Sequence, residues 1–178
     1  MDLKIIIYIL LFVFIMIYYY ILRNDEKDLK ISFNFENNGI IPLKYTADGD
    51  NLSPPIIFEN ISEKAESIVI IMDDMSTSDE LTHWLIWNIS PDIEELPEGI
   101  TAGEIVKELD GACQGKNDFG DVGYKGPVAN NHDHIYRFRL FTLDDKLNIS
   151  TDIDKKEIEE RMIGSILQRG EILAKYGG

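Results

Sequence analysis

His132-Asp133-His134-Ile135-Tyr136-Arg137-Phe138-Arg139-Leu140-Phe141-Thr142-Leu143 is the stretch on which the fold turns. From Ile135 to Leu143 it is dense in aromatic and β-branched residues and too short for a main helix, so it reads as a strand. Extended backbone points alternate side chains to opposite faces. His132, His134, Tyr136, Phe138 and Leu140 then share one face, and Arg137 and Arg139 share the other. His134 and Tyr136 stand at the mouth of the molecule, above Phe138 and Leu140 on the core face.

Outward from this strand, similar runs occur at Ile31–Phe35, Ser67–Met72 and Trp84–Ile89, separated by turn signals such as Asn37-Asn38-Gly39, Asp48-Gly49-Asp50 and Pro54-Pro55. Many short strands divided by Gly, Pro and Asn predict a mainly β fold, an antiparallel β-sandwich with one or two short helices. One helix is expected to open at Asp154-Lys155-Lys156-Glu157, which has the spacing of a capping box, with apolar Ile158, Met162 and Ile163 following. Gly164 ends that helix or is tolerated in it, and Ile172–Tyr176 closes the chain as a last strand. By strand parity His83 falls in line with Leu85, Trp87 and Ile89. Asp110 to Asp133 carries five glycines and Pro127 and reads as a long structureless segment, which in a compact domain is usually functional or floppy.

The 178 residues, 44% hydrophobic, fit one domain with a real core. A net charge of −15, with no basic run, repels a phosphate backbone and excludes nucleic acid as a partner. The single cysteine, Cys113, forbids an intrachain disulfide and reads as a partly buried thiol. Four N-x-S/T triplets, at Asn51, Asn60, Asn88 and Asn148, read as turn chemistry ahead of glycosylation.

Ile5–Leu22 is an unbroken apolar and aromatic run between Lys4 and Arg23. At about 1.5 Å per residue it spans roughly 27 Å, enough to cross a bilayer core. Tyr18, Tyr19 and Tyr20 suit the interface, and Arg23-Asn24-Asp25 offers no small-residue cleavage site. The expected organisation is a transmembrane anchor over residues 1–23, a polar tether over 24–30 and a folded domain over 31–178. Cations on both flanks leave the orientation undecided.

Three chemistries compete for the histidines. His132-Asp133-His134 is an H-x-H pair that could ligate a metal with His83, although no glutamate follows within Ile135–Leu143. Nucleophilic catalysis needs a serine or cysteine within reach of an imidazole, and no G-x-S-x-G elbow is present. An anion pocket would draw on imidazoles, a tyrosine hydroxyl and backbone N–H groups of the Gly-rich loop. The plainer alternative is that the histidines only hydrogen-bond loop backbone.

The segments Tyr45-Thr46-Ala47-Asp48-Gly49-Asp50-Asn51-Leu52-Ser53-Pro54-Pro55, Ile70-Ile71-Met72-Asp73-Asp74, His83-Trp84, Asn117-Asp118-Phe119-Gly120-Asp121-Val122-Gly123-Tyr124-Lys125-Gly126-Pro127 and His134-Ile135-Tyr136 together resemble the phosphatidylethanolamine-binding proteins. The likeness is closest to their bacterial and archaeal Raf-kinase-inhibitor-like branch and covers about residues 31–178. The resemblance implies a β-sandwich with a pocket for phosphate or a phosphorylated head group. It implies that Asp74, His83, His134 and Tyr136 line the pocket, with Gly126 and Pro127 as a wall. It also implies a protein that modulates a kinase or protease, with no enzymatic role and no cofactor. Two departures stand out. The family's D-P-D-x-P motif reads Asp74-Met75-Ser76-Thr77-Ser78, whose missing prolines are expected to loosen that loop, and the arginine of its H-R-Y motif is Ile135. The N-terminal apolar run departs from the family's soluble form and favours a domain outside the cytoplasm. The reading is a tethered binder of a small anion or phosphate group. A surface-acting inhibitor with an incidental pocket and a metal-assisted hydrolase are the alternatives.

Overall fold

Residues 3–24 and 28–177 are described by the computed structural model, with the side chains of residue 3 and residues 19–24 outside that description. In chain order they form helix α1 (Leu3–Asn24), strands β1 (Lys30–Phe33), β2 (Gly39–Ile40), β3 (Ile56–Glu59), β4 (Ser67–Asp74), β5 (Leu81–Ile89), β6 (Glu95–Leu96), β7 (Ile105–Val106), β8 (Ala112–Gln114) and β9 (His134–Leu143), helix α2 (Lys155–Met162) and strand β10 (Ile166–Tyr176). The fold is mostly β with two helices.

Seven strands pair in the order β2-β10-β9-β4-β5-β8-β7, and β1-β3-β6 make a second sheet. Pairing is antiparallel except at one edge, where β2 runs parallel to β10, a correction to the wholly antiparallel expectation. The central strand β4 is buried along its whole length, which is why Ser67–Met72 reads as a continuous apolar run without alternation. Its Ile68, Ile70 and Met72 share one cluster with Ile56 and Phe58 of β3, Leu96 of β6 and Tyr136, Phe138 and Leu140 of β9, so the two sheets meet in a common core. Val69 and Ile71 face the other way and pack with Phe141, Leu143 and α2 through Ile158 and Met162. Each such side chain contributes about 1.5–3 kcal/mol of burial.

The parity along β9 comes out as read: Tyr136, Phe138 and Leu140 are buried while Arg137 and Arg139 are half-buried on the reverse face. Along β5 it does not. The register with β4 slips twice: Ile68 and Ile70 oppose Ile89 and Ile86, and Asp73 and Met72 oppose Thr82 and Trp84. Two β-bulges therefore interrupt the alternation. Leu85 and Trp87 join the α2-side cluster, whereas Ile89 joins the common core. His83, the extra residue between Thr82 and Trp84, turns its ring toward Tyr136.

Helix α2 starts at Asp154, whose side chain accepts from the Glu157 backbone N–H at 2.8 Å. Gly164, at φ +95°, turns the chain after it, and the closing strand begins at Ile166, earlier than Ile172. The segment 110–133 is not wholly irregular, because β8 pairs there with β5 and β7. Asn51, Asn60 and Asn88 all hold left-handed backbone, with φ of 56°, 61° and 58°, the turn role read from their sequence. Cys113 is partly buried, and that burial raises its thiol pKa.

The apolar side chains of α1 from Ile5 to Tyr18 stay exposed apart from Ile6, which is half-buried, and none joins either core cluster. Among the described residues no helix is long and apolar enough to cross a membrane. The expected crossing over Ile5–Leu22 is thus not established by the fold. The rest of the run, Tyr19 and Tyr20 included, has its side chains outside the described set, as do residues 24–27 of the expected tether.

Candidate functional site

Three of the expected pocket residues are brought together by pairing. In the β4/β9 register Asp74 stands opposite Tyr136, two residues from His134, and the bulge in β5 adds His83. His134 Nδ1 lies 2.6 Å from Asp74 Oδ2, with both side chains nearly buried. The His83 ring meets the Tyr136 ring edge-on at 5.2 Å, and the His134 ring stacks over the same tyrosine at 6.3 Å. Tyr136 sits between two imidazoles.

Each imidazole is oriented by the hydrogen bond at its Nδ1. His83 Nδ1 donates to the Lys125 carbonyl oxygen at 2.7 Å, because a carbonyl can only accept. His134 Nδ1 donates to the Asp74 carboxylate. Its Nε2 faces the Asn130 side-chain amide at 3.3 Å. In the neutral rings Nε2 of both histidines is therefore the lone-pair nitrogen. Burial is the leading influence on His83 and lowers its pKa below the ordinary imidazole value, against the Lys125 bond and the charges of Asp74, Asp73 and Asp118. Tyr136 is pushed well above the ordinary phenol range, first by burial and then by the charges of Asp74 and Asp48. It stays a neutral hydroxyl.

Around these side chains the other segments singled out in the sequence are bonded to one another. Asn51 Oδ1 accepts from Gly126 N–H at 2.8 Å, Ala47 N–H donates to the Pro127 carbonyl at 2.8 Å, and Asp48 Oδ2 accepts from Ala129 N–H at 2.7 Å and the Tyr176 hydroxyl at 3.0 Å. A Cβ on Gly126 would stand 2.6 Å from the Tyr45 carbonyl oxygen, so only glycine lets these two segments touch. On the other side Asn117 Oδ1 accepts from the N–H of Phe119 and of Asp121, shaping a loop that Asp118 ties to Thr82. That loop lays Phe119 against His83, with ring centroids 4.9 Å apart.

The segment 74–78, which lacks the family's prolines, is held by side-chain-to-backbone bonds. Asp74 Oδ1 accepts from Ser76 N–H at 2.8 Å, Ser76 Oγ from Ile135 N–H at 2.8 Å, and Thr77 Oγ1 from Leu81 N–H at 3.0 Å. Side-chain-to-backbone bonds replace the fixed φ of proline. His132 is exposed, with its ring 5.1 Å from His134. Among the described residues no group of three or more His, Cys, Asp or Glu side chains, His83, His132 and His134 included, is placed to hold a metal ion.

Sequence reasoning missed Phe119, Asn130 and the Lys125 carbonyl. The first and last lie in the quoted Asn117–Pro127 segment, and only the contacts give them roles. It also missed a second constellation. Asp73, fully buried, accepts from Arg139 Nη2 at 2.6 Å, Arg137 Nη2 at 3.2 Å and Lys155 Nζ at 2.9 Å. Glu159 and Glu80 complete the shell through Arg139 at 2.6 Å and Arg137 at 2.8 Å. Two cavities of about 340 and 350 Å³ flank this network, the first beside Arg139 and Arg169, the second beside Lys116, Asp118 and Lys155. Arg139, Lys116 and Lys155 are already paired with carboxylates, so the candidate site is placed at the histidines. Met75, Phe119, Val128 and Ile135 are exposed apolar side chains on the segments that carry it.

Residues 31–177 match the family model described as Phosphatidylethanolamine-binding protein. A UPF0098 protein of Pyrococcus abyssi is 43% identical over 85% of this chain and 86% of its own length, and one of Pyrococcus horikoshii is 41% identical over 85% and 78%. The crystal structure of a phosphatidylethanolamine-binding protein homologue from Chlamydia trachomatis superposes with a TM-score of 0.74 at 29% identity, covering 84% of this chain and 97% of that one. Escherichia coli YbcL superposes with a TM-score of 0.76 at 21% identity, covering 85% and 99%, a likeness of fold.

Proposed function

The chain belongs to the phosphatidylethanolamine-binding protein family, and from that premise we propose that it binds a small anion or phosphate group at Asp74, His83, His134 and Tyr136, with Gly126 and Pro127 as one wall. The observation that carries this reading is the Asp74–His134–Tyr136–His83 array, in which two oriented imidazoles bracket a neutral tyrosine hydroxyl. Such groups gathered at strand ends beside a Gly-rich wall are suited to a small polar head. In this reading the site binds its ligand and carries no chemical step. The test is an NMR titration of the chain with phosphate and with phosphoethanolamine, following the His83 and His134 ring signals. Saturable shifts that vanish in His134→Ala support the pocket, and flat titrations reject it.

In this reading the bound head regulates a protein partner, a kinase or protease, which docks over the pocket. The exposed Met75, Phe119, Val128 and Ile135 favour such docking, and competition between partner and phosphate tests it. Independence of the two would favour a surface-acting inhibitor. The N-terminal run is proposed as a membrane tether with the domain outside the cytoplasm. The outward apolar face of α1 from Ile5 to Tyr18 supports it, and extraction of the full chain by alkaline carbonate wash of membranes would reject it.

A further inference from the structure

An anion pocket ordinarily brings donors and positive charge, and this one, with its rings neutral, brings no cation and a single side-chain donor between the rings, the Tyr136 hydroxyl. Both Nδ1 hydrogens are committed, one to the Lys125 carbonyl and one to Asp74. The atoms left for a ligand are bare Nε2 lone pairs, which repel an oxyanion's oxygens. His83 Nε2 has no hydrogen-bond partner among the described residues, and that of His134 has only the Asn130 amide. The nearby cations are turned away. Arg137 and Arg139 point to the reverse face of β9, where Asp73 holds them, and Lys125 Nζ lies 3.4 Å from Asp121.

The charges that do face the histidines are mostly acidic. His83 feels Asp73 and Asp74 from β4 and Asp118 from the loop beside it. His134 has Asp74 from β4, His132 from the preceding loop, Tyr136 on its own strand, and Tyr176 of β10, whose hydroxyl is bonded to Asp48. A dianion entering this field with no accompanying proton meets carboxylates and two lone pairs, with the Tyr136 hydroxyl as a donor.

We propose that the pocket takes an oxyanion only together with one proton, held between a histidine Nε2 and the ligand's oxygen, so that its ligand class is the monoprotonated oxyanion, a phosphomonoester monoanion, in preference to a fully deprotonated one. The proposal rests on the anion-pocket reading and specifies it. The proton comes from the P–OH of the ligand or from solvent, and no covalent bond is made. Asp74 stabilises the resulting imidazolium of His134 through the existing Nδ1–H bond. Burial disfavours a charged His83.

Inorganic sulfate, which does not titrate between pH 5 and 8, is the discriminating probe beside inorganic phosphate. Calorimetry of the full chain in detergent, in two buffers of different ionisation enthalpy, should show uptake of about one proton per sulfate near pH 7. Sulfate affinity should fall close to tenfold for each pH unit above neutrality, as a one-proton linkage requires. Phosphate, which carries its own proton, should bind at least tenfold more tightly than sulfate at pH 7. The variant His134→Gln, which offers an N–H donor in place of a lone pair, should retain sulfate binding and flatten the pH slope. His134→Gln must keep the wild-type amide spectrum away from the site. Sulfate affinity that is constant from pH 5.5 to 8 without proton exchange overturns the proposal and leaves the anion pocket standing. Absence of saturable binding of either anion at pH 5.5 overturns the pocket itself.

Discussion

Asp73 and Asp74 are neighbours on β4, both buried, and they face opposite sides of the same sheet. Asp73 is enclosed by Arg137, Arg139 and Lys155, with Glu80 and Glu159 balancing their charge. Asp74 holds one histidine at 2.6 Å and one backbone N–H, beside a tyrosine hydroxyl that makes no hydrogen bond among the described residues. The first carboxylate is a closed network that clamps α2 onto the sheet. The second orients a ring whose far nitrogen is left for something else. Charge near a sheet is thus no guide to function, and the unsaturated side is the one that can take a ligand.

The sharpest way to break this contrast is to remove each carboxylate in turn. Asp73→Ala leaves two arginines and a lysine without their buried counter-charge and should lower the unfolding free energy by about 3–5 kcal/mol in urea titrations. Asp74→Ala should lower it by far less, and equal losses would show that the two faces play the same structural role. Next in size, His134→Ala should weaken phosphate binding at least tenfold, while the loss of its bond to the Asp74 carboxylate lowers the unfolding free energy by about 1.5–3 kcal/mol, less than Asp73→Ala. A large stability loss with unchanged affinity would make His134 a structural residue like Arg139.

Gly126→Ala sharpens the role of the wall. Its Cβ would press on the Tyr45 carbonyl oxygen and on Thr46 and Ala47 backbone, so a destabilisation of about 1–3 kcal/mol is expected, with a looser Asp48–Ala129 contact visible as faster amide exchange at Ala129. The smallest effect concerns His83. Burial lowers its folded pKa, so as pH falls the unfolded chain takes up the proton first. The stability it contributes is present above the unfolded value of about 6.5 and is lost as pH falls toward and through the folded value. His83→Gln should remove that part of the stability decline between pH 7 and 5 in denaturation curves, and an unchanged decline would place the acid sensitivity elsewhere.

How much of this could be read from the residues varies by element. The parity of Ile135–Leu143 needed nothing beyond the 2-residue period and placed Tyr136, Phe138 and Leu140 correctly. The same rule failed along β5, because a bulge adds one residue to one strand and leaves no mark in the order of side-chain types. The N-cap at Asp154 was legible because its acceptor and donor are three residues apart. The role of Ser76 was not, because its partner, Ile135, is distant in the chain.

The sequence by itself determined the faces of β9, the helix start and the family, since these depend on short spacings and on ordered motifs. Only the tertiary structure decided which nitrogen of each histidine carries the hydrogen, which of two adjacent aspartates is saturated, and that His83 reaches the site at all. Those outcomes are fixed by bonds between residues 42 to 82 positions apart and by the register of β4 against β5, where a single bulged residue chooses the neighbours.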